Sequence, residues 1–414
     1  MFNDYRNIPS QAKLLIYLSF IPNILIGFIY SDLSYFLPTF QGIAPGLPIT
    51  VMGVTLVAES IPFGILADRY GRLKMLILGN ICAGLSIIGF ALTSNLGLVL
   101  LVAVLEGTGE ASYAVSVSAL LAEKAGNESR TVAFSLLAFI GWIAGALGSF
   151  VIYSVTGLQY FGLDLKSAHV VLYVTIALLT LSITPLLLKI KESGTSFGRK
   201  QILPRKSGKV LTQYATYSVL IAVGAGLFVP LMLFWFKLAY AVPDSLGGLV
   251  LGVTNLLTAF VVFVSPRLAR RFGLVKATVL TQASSTIFMV AIPSSPSFAV
   301  ASSLYLVRVF LMNLSNPLTQ SLIMGLVSPD ERGMASGITA SLWRLPNSLS
   351  TFVGSTLMEE GYLATPFYVA TVLYVVGIGL FWLMFRNAVL PEEKARAAQP
   401  PTQSSSLEGP EVER

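Results

Sequence analysis

The chain runs to 414 residues, 54% hydrophobic and only 11% charged, with a mean hydropathy of +0.76 and a formal net charge of +7. Soluble domains carry about a quarter charged residues, so this composition excludes them and places the chain in lipid. A lone cysteine, Cys82, excludes an intrachain disulfide, and with a lone histidine, His169, neither a metal nor a cofactor is expected.

The polar stretch 1–13 precedes an apolar run too long for the core of a signal peptide, so the N-terminus is expected to stay in the mature chain. A bilayer core of about 30 Å takes roughly 20 apolar residues to cross. Twelve runs meet that demand, at 14–37, 46–67, 75–93, 97–122, 131–155 and 168–188, then 212–237, 246–265, 274–293, 298–327, 333–357 and 366–385. Backbone groups in lipid must bond within their own segment, and the short alternating segments of a barrel are missing. The expected fold class is therefore an all-α integral membrane protein with 12 transmembrane helices. Glycine clusters such as Gly107-Thr108-Gly109 lie inside these runs with no Lys-Ser/Thr ending, which excludes a nucleotide-binding loop and with it an ATP-driven pump.

Of the 27 lysines and arginines, 23 fall in the termini and in alternate loops on one side; Lys166, Lys237, Arg308 and Arg344 are the others. Basic loops face the cytoplasm, so both termini are expected there, in a multi-pass protein of the cell (plasma or inner) membrane. The net positive charge then meets anionic lipid headgroups, not nucleic acid.

Residues 64–74 read GILADRYGRLK and residues 266–276 read PRLARRFGLVK, 202 positions on. The same offset lays Glu128-Ser129-Arg130 on Asp330-Glu331-Arg332, Ala133 on Ala335 and Phe150-Val151 on Phe352-Val353. Six runs separate equivalent points, so the repeats are parallel and related by a pseudo-twofold axis along the membrane normal. The expected organisation is a six-helix bundle at 1–188, a basic cytoplasmic linker at 189–211, a second six-helix bundle at 212–386, and a polar tail at 387–414 that is expected to be disordered.

Charges inside the runs carry most of the remaining information, because each costs at least about 2.5–3.5 kcal/mol at the bilayer centre. Glu106 and Glu110 are four apart near the middle of the fourth run, with Tyr113 one turn further, so they share a face. Two carboxylates so close repel, which suits one to taking up a proton. The offset places Arg308 opposite Glu106, in the tenth run, either as part of a coupling site or in a permanent salt bridge. Arg344 lies mid-span in the eleventh run on a stripe of Ser341, Ser348, Thr351 and Ser355 beside Pro346, either a bending cavity wall or serines that only solvate the arginine. Glu59 in the second run is a candidate partner for Arg344. Asp32 lies off the polar face formed by Asn23, Gly27, Ser31 and Ser34 and near the outer end, where it is expected to be solvated or paired.

The residues Gly64, Leu66, Ala67, Asp68, Arg69, Gly71 and Arg72, followed by Lys74, match the loop signature between helices 2 and 3 of the major facilitator superfamily, which the chain resembles over about residues 10–388. The resemblance implies that this loop is a cytoplasmic gate, with Asp68 facing the turn at Glu331 to Met334, and that helices 1, 4, 7 and 10 line a central cavity holding Glu106, Glu110 and Arg308. The second copy departs from the signature, with Arg270 at the position of Asp68, and the fourth run has Glu106 where drug exporters of the family carry arginine. The stripe Gly141, Gly145, Gly148 echoes their antiporter signature without its proline, and close helix packing explains it equally well. The implied activity is alternating-access secondary transport, not enzymatic catalysis. Its expected form is proton-coupled export of a hydrophobic or amphipathic small molecule by a monomer among membrane lipids. Two alternatives stay open: uptake or exchange of an organic anion held by Arg308 and Arg344, and a non-transporting receptor on the same fold, which the short tail argues against.

Overall fold

The computed structural model describes residues 7–192, 206–328 and 331–388. Its helical spans are α1 (Ser10–Gln41), α2 (Gly46–Tyr70), α3 (Arg72–Leu92), α4 (Leu96–Gly126), α5 (Val132–Tyr160) and α6 (Leu165–Leu187), then α7 (Gly208–Tyr240), α8 (Asp244–Phe272), α9 (Leu274–Ser294), α10 (Phe298–Leu326), α11 (Arg332–Glu359) and α12 (Thr365–Phe385). No strand occurs among the described residues. Eleven helices are long and apolar enough to cross a membrane. The run expected at 333–357 falls in α11, which is long enough at about 42 Å. Its serines, threonines, Asn347 and Arg344 make it too polar to join the eleven. Most of the linker, 193–205, and the tail from 389 onward lie outside the described residues.

The duplication reappears in the element boundaries. Helices α2 and α8 end at Tyr70 and Phe272, α3 and α9 begin at Arg72 and Leu274 and end at Leu92 and Ser294, and α4 and α10 begin at Leu96 and Phe298, each pair 202 positions apart. Gly71 and Gly273 join the first of these helices with φ of 112° and 75°. A side chain there would be strained, so glycine makes the sharp turn possible.

Within each half the helices pack tightly. In the first, α3 lies against α4 and α6, and α1 against α4 and α5; in the second, α7 lies against α11 and α12, and α9 against α10 and α12. The halves meet along two seams, α2 with α11 and α5 with α8. Small residues set both: a Cβ at Gly46 or Gly53 would collide with Ser355 or Ser348, and one at Gly248 or Gly252 with α5. Several spans are interrupted, two of them prominently. α1 ends in a wide π turn, Leu37–Gln41, closed by Gly42 at φ 67°. α7 is interrupted at Leu227 and Phe228 before a short 3₁₀ turn, Val229–Leu231, because Pro230 has no N–H to continue the ladder.

The Gly145 and Gly148 stripe packs against α1: a Cβ at Gly148 would lie 2.1 Å from the Ile24 carbonyl oxygen, and one at Gly27 2.2 Å from that of Gly145. Backbone cannot yield as a side chain does, and overpacking costs typically about 1–3 kcal/mol. Gly148→Ala is expected to lower the thermal midpoint of the detergent-purified protein by several degrees. Gly157→Ala, with nothing within 4 Å of its added Cβ, leaves it unchanged. Size-exclusion recovery after heating measures both.

Candidate functional site

A cavity of about 780 Å³ lies between the halves, walled by α1, α2, α4, α5, α7, α8, α10, α11 and α12. Its wall is polar for a membrane protein, with Asn23, Asn255, Asn313, Asn316 and Asn347, and carries aromatic surface at Trp142 and Trp343. Three charged residues enter it: Glu110, Arg308 and Arg344. Tyr113, 8% exposed, lines it as well.

Glu110 bonds across the halves. Arg344 Nη1 donates to one carboxylate oxygen at 2.7 Å and Tyr30 Oη donates to the other at 2.7 Å, so α4, α11 and α1 converge on one acid. Sequence reasoning offered Glu59 as the partner of Arg344, but the structure gives that role to Glu110. Glu59 stays on α2, its Oε2 buried without a hydrogen-bond partner. Tyr30 went unread in the sequence, although it adjoins the α1 polar face through Gly27 and Ser31 that does line the cavity.

Arg308 behaves differently. It is 3% exposed, and its Nη2 donates to Tyr374 Oη at 2.7 Å while its guanidinium carbon lies 4.9 Å over the Phe228 ring and 5.5 Å over that of Tyr374. Its Nε has no hydrogen-bond partner, and no carboxylate pairs with it among the described residues. The break in α7 is what brings Phe228 beneath it. Of the two readings of Arg308, the permanent salt bridge to a glutamate is not formed among the described residues.

Glu106 is not in the cavity wall. It turns toward α3, where Ser86 Oγ donates to its Oε2, and it is 1% exposed with Oε1 unpartnered. Four residues advance a helix by 400°, so Glu106 and Glu110 differ by about 40° in heading, and at a helix junction that separates a cavity from a neighbouring helix. Asp32 is fully buried, not solvated, with Oδ1 3.8 Å from His169 Nε2.

The gate motif also departs from expectation. Asp68 accepts from Arg72 Nη2 at 3.2 Å within its own turn, and Arg72 Nη1 donates to Glu123 of α4 at 3.0 Å. The anion at the α3 N-terminus is Glu192, which accepts from the backbone N–H of Arg72 at 2.5 Å and of Leu73 at 3.3 Å. Glu331 accepts from the N–H groups of Lys206 and Ser207, both at 2.9 Å, at the start of α7. Gly64 packs near Val115, Arg69 lies over the Tyr70 ring and Lys74 is exposed.

Among the described residues, six hydrogen-bonded pairs join the halves: Thr39 with Lys237, His169 with Asp244, Gly46 with Ser355, Thr50 with Ser348, Ser149 with Asn255, and Glu110 with Arg344. All lie between the midplane and the face opposite the basic turns. Toward the basic face the cavity continues past Val117, Ser118, Leu137 and Asn316. There the one ring contact between halves is Phe139 with Phe263, 6.1 Å apart on the α5 to α8 seam. Among the described residues the named bonds thus close the halves together on one face, and the cavity extends toward the other.

The Major Facilitator Superfamily model matches residues 14–351 and 215–410. An uncharacterized membrane protein of Saccharomyces cerevisiae (strain ATCC 204508 / S288c), YJR124C, is 24% identical over 339 residues, 67% of this chain and 75% of that protein. The crystal structure of the nucleoside transporter NupG superposes with a TM-score of 0.73 at 14% identity, covering 92% of this chain and 100% of that one. A bacterial homolog of the human lysosomal transporter Spinster, in an inward-facing and occupied conformation, gives 0.71 at 14% identity, covering 91% and 96%.

Removing the charge of Glu110 leaves Arg344 unpaired and favours separation of the closed face. In a Cys82→Ala background, a cysteine pair at Thr50 and Ser348, where the Thr50 hydroxyl donates to the Ser348 backbone carbonyl at 2.7 Å, reports that closure. Glu110→Gln is expected to lower its disulfide yield about fivefold, the effect of roughly 1 kcal/mol on the ratio of the two states.

Proposed function

Because the chain belongs to the Major Facilitator Superfamily, we propose that it is a secondary transporter whose cargo is a small amphipathic organic anion, moved by alternating access and coupled to protons. The carrying observation is Arg308, a buried cation in the cavity wall with a ring on either side, an unpartnered Nε and no carboxylate of its own. A charge held in a low-dielectric wall attracts an anion strongly, and a guanidinium binds a carboxylate or phosphate through two parallel bonds. The aromatic rings and asparagines beside it would take the rest of an amphipathic solute.

Coupling falls to Glu110. A proton on its carboxylate weakens the bond to Arg344, and with it the tie between halves on the closed face. Solute binding at Arg308 and proton binding at Glu110 thus act on one cavity by separate contacts. The distribution of lysine and arginine supports reading the open face as the cytoplasmic one. A second reading, export of an uncharged hydrophobic or amphipathic compound, draws support from Trp142, Trp343 and Met312 in the wall.

Liposomes containing the purified protein, with an imposed pH gradient and a panel of amphipathic carboxylates, organic phosphates, nucleosides and lipophilic cations, separate these readings. A charge-assisted hydrogen bond is worth about 1.5–3 kcal/mol, so Arg308→Ala is expected to cut anion flux at least tenfold. Glu110→Gln is expected to abolish the response to the pH gradient while solute exchange persists. Flux of neutral or cationic compounds that is indifferent to Arg308→Ala would sink the anion reading in favour of the second.

A further inference from the structure

On the closed face, away from the cavity, three ionisable residues converge from three helices: Asp32 of α1, His169 of α6 and Asp244 at the start of α8. One ligand atom from each lies within 4.8 Å of the other two. Their exposures are 0%, 0% and 1%. Both oxygens of Asp32 and Oδ1 of Asp244 are buried with no hydrogen-bond partner.

The histidine fixes the chemistry. Its Nδ1 lies 2.8 Å from the Leu165 carbonyl oxygen, which can only accept, so Nδ1 carries the hydrogen. In the neutral ring Nε2 is then a bare lone pair, and it faces Asp244 Oδ2 in close contact and Asp32 Oδ1 at 3.8 Å. Repulsion between that lone pair and two carboxylates is relieved by a proton on Nε2 or by a cation between the three groups. Donation from the far ring nitrogen to a backbone carbonyl is also the arrangement that orients a metal-ligating histidine.

Besides the buried Tyr173 hydroxyl, which faces Asp32, the surroundings supply little to offset the charge. The rings of Tyr35, Phe36 and Phe40 lie 6.3, 6.0 and 4.9 Å from the imidazole. The neighbouring Lys237 ammonium is directed to Thr39 Oγ1 at 2.6 Å and sits 4.9 Å over Tyr35, with no ion pair to either aspartate. With a neutral histidine the cluster carries two negative charges in an apolar box, which one divalent cation cancels.

We propose that Asp32, His169 and Asp244 form a binding site for a single first-row divalent metal ion of the manganese to zinc range. One imidazole with two carboxylates suits those ions, whereas magnesium and calcium favour all-oxygen shells. Ligand atoms at about 2.0–2.2 Å from an ion stand roughly 3 Å apart, so His169 and Asp244 part slightly and Asp32 moves in. Asp32 and His169 belong to the first half and Asp244 to the second. The full ligand set exists only while the halves meet on this face, so the ion stabilises this state by mass action whatever solute the cavity carries.

Tag-free full-length protein, stripped with chelator and titrated with Zn²⁺ or Mn²⁺ by calorimetry, tests the site. The expected result is one ion per chain, a raised thermal midpoint, and at least a tenfold weaker affinity in His169→Ala and in the near-isosteric Asp244→Asn. Glu360→Gln, an exposed carboxylate outside the cluster, retains wild-type affinity. Metal-free thermal midpoints establish that the variants are folded, and the wild-type titration needs no variant. No binding of either ion by the wild type, binding that survives both substitutions, or a cluster whose stability responds only to pH overturns the proposal, the last by showing that protons alone neutralise it. None of these outcomes touches the role of Arg308.

Discussion

A guanidinium on α11 and a carboxylate on α4 meet at 2.7 Å midway through the span, an ion pair that joins the two halves inside the membrane. Each charge alone costs at least about 2.5–3.5 kcal/mol at the bilayer centre. Joined, with Tyr30 filling the second carboxylate oxygen, Glu110 is satisfied. The Arg344 side chain is 46% exposed to the cavity, so water shares its solvation and the pair can part. The other cross-half bonds are between neutral groups or, at the outer edge, ionisable ones held close by the same apposition. They follow the central pair; they do not replace it.

The two intramembrane arginines have opposite circumstances. Arg344 is matched by an acid from the opposing half and reports the relative position of the bundles. Arg308 is matched by aromatic rings from its own half, so its environment survives a relative motion of the bundles while its charge stays available to a solute. On the function proposed above, that division would let one cavity hold a cargo and sense a conformational state through separate residues.

Much of the architecture was legible in the amino-acid order. Apolar length gives the helices, and the 202-residue repeat gives the equivalence of Gly71 and Gly273, because both express constraints local to the chain. Partnerships between helices distant in sequence were not legible. Glu106 and Glu110 differ by about 40° in heading, which decides between Ser86 and the cavity, and no property of α4 alone sets its rotation. The pairing of Arg344 with Glu110 over Glu59 depends on the docking of two halves 234 positions apart in the chain. The cluster of Asp32, His169 and Asp244 was invisible for the same reason: a lone histidine argues against a metal by count, and its neighbours come from α1 and α8.

On the basic face every bond that Asp68 and Arg72 make stays within the first half. A motif bonded only within its own half has contacts left to form across the halves, and exchange of contacts between faces is what a two-state rocking motion requires. Interior prolines fall at Pro62 of α2, Pro266 of α8, Pro317 of α10 and Pro346 of α11. Three of these helices form the seams between the halves and the fourth carries Arg308. A missing backbone N–H lets a helix bend at low cost at that point. The flexible points thus lie along the seams between the halves and beside Arg308, while the continuous helix α3 stays outside the cavity wall.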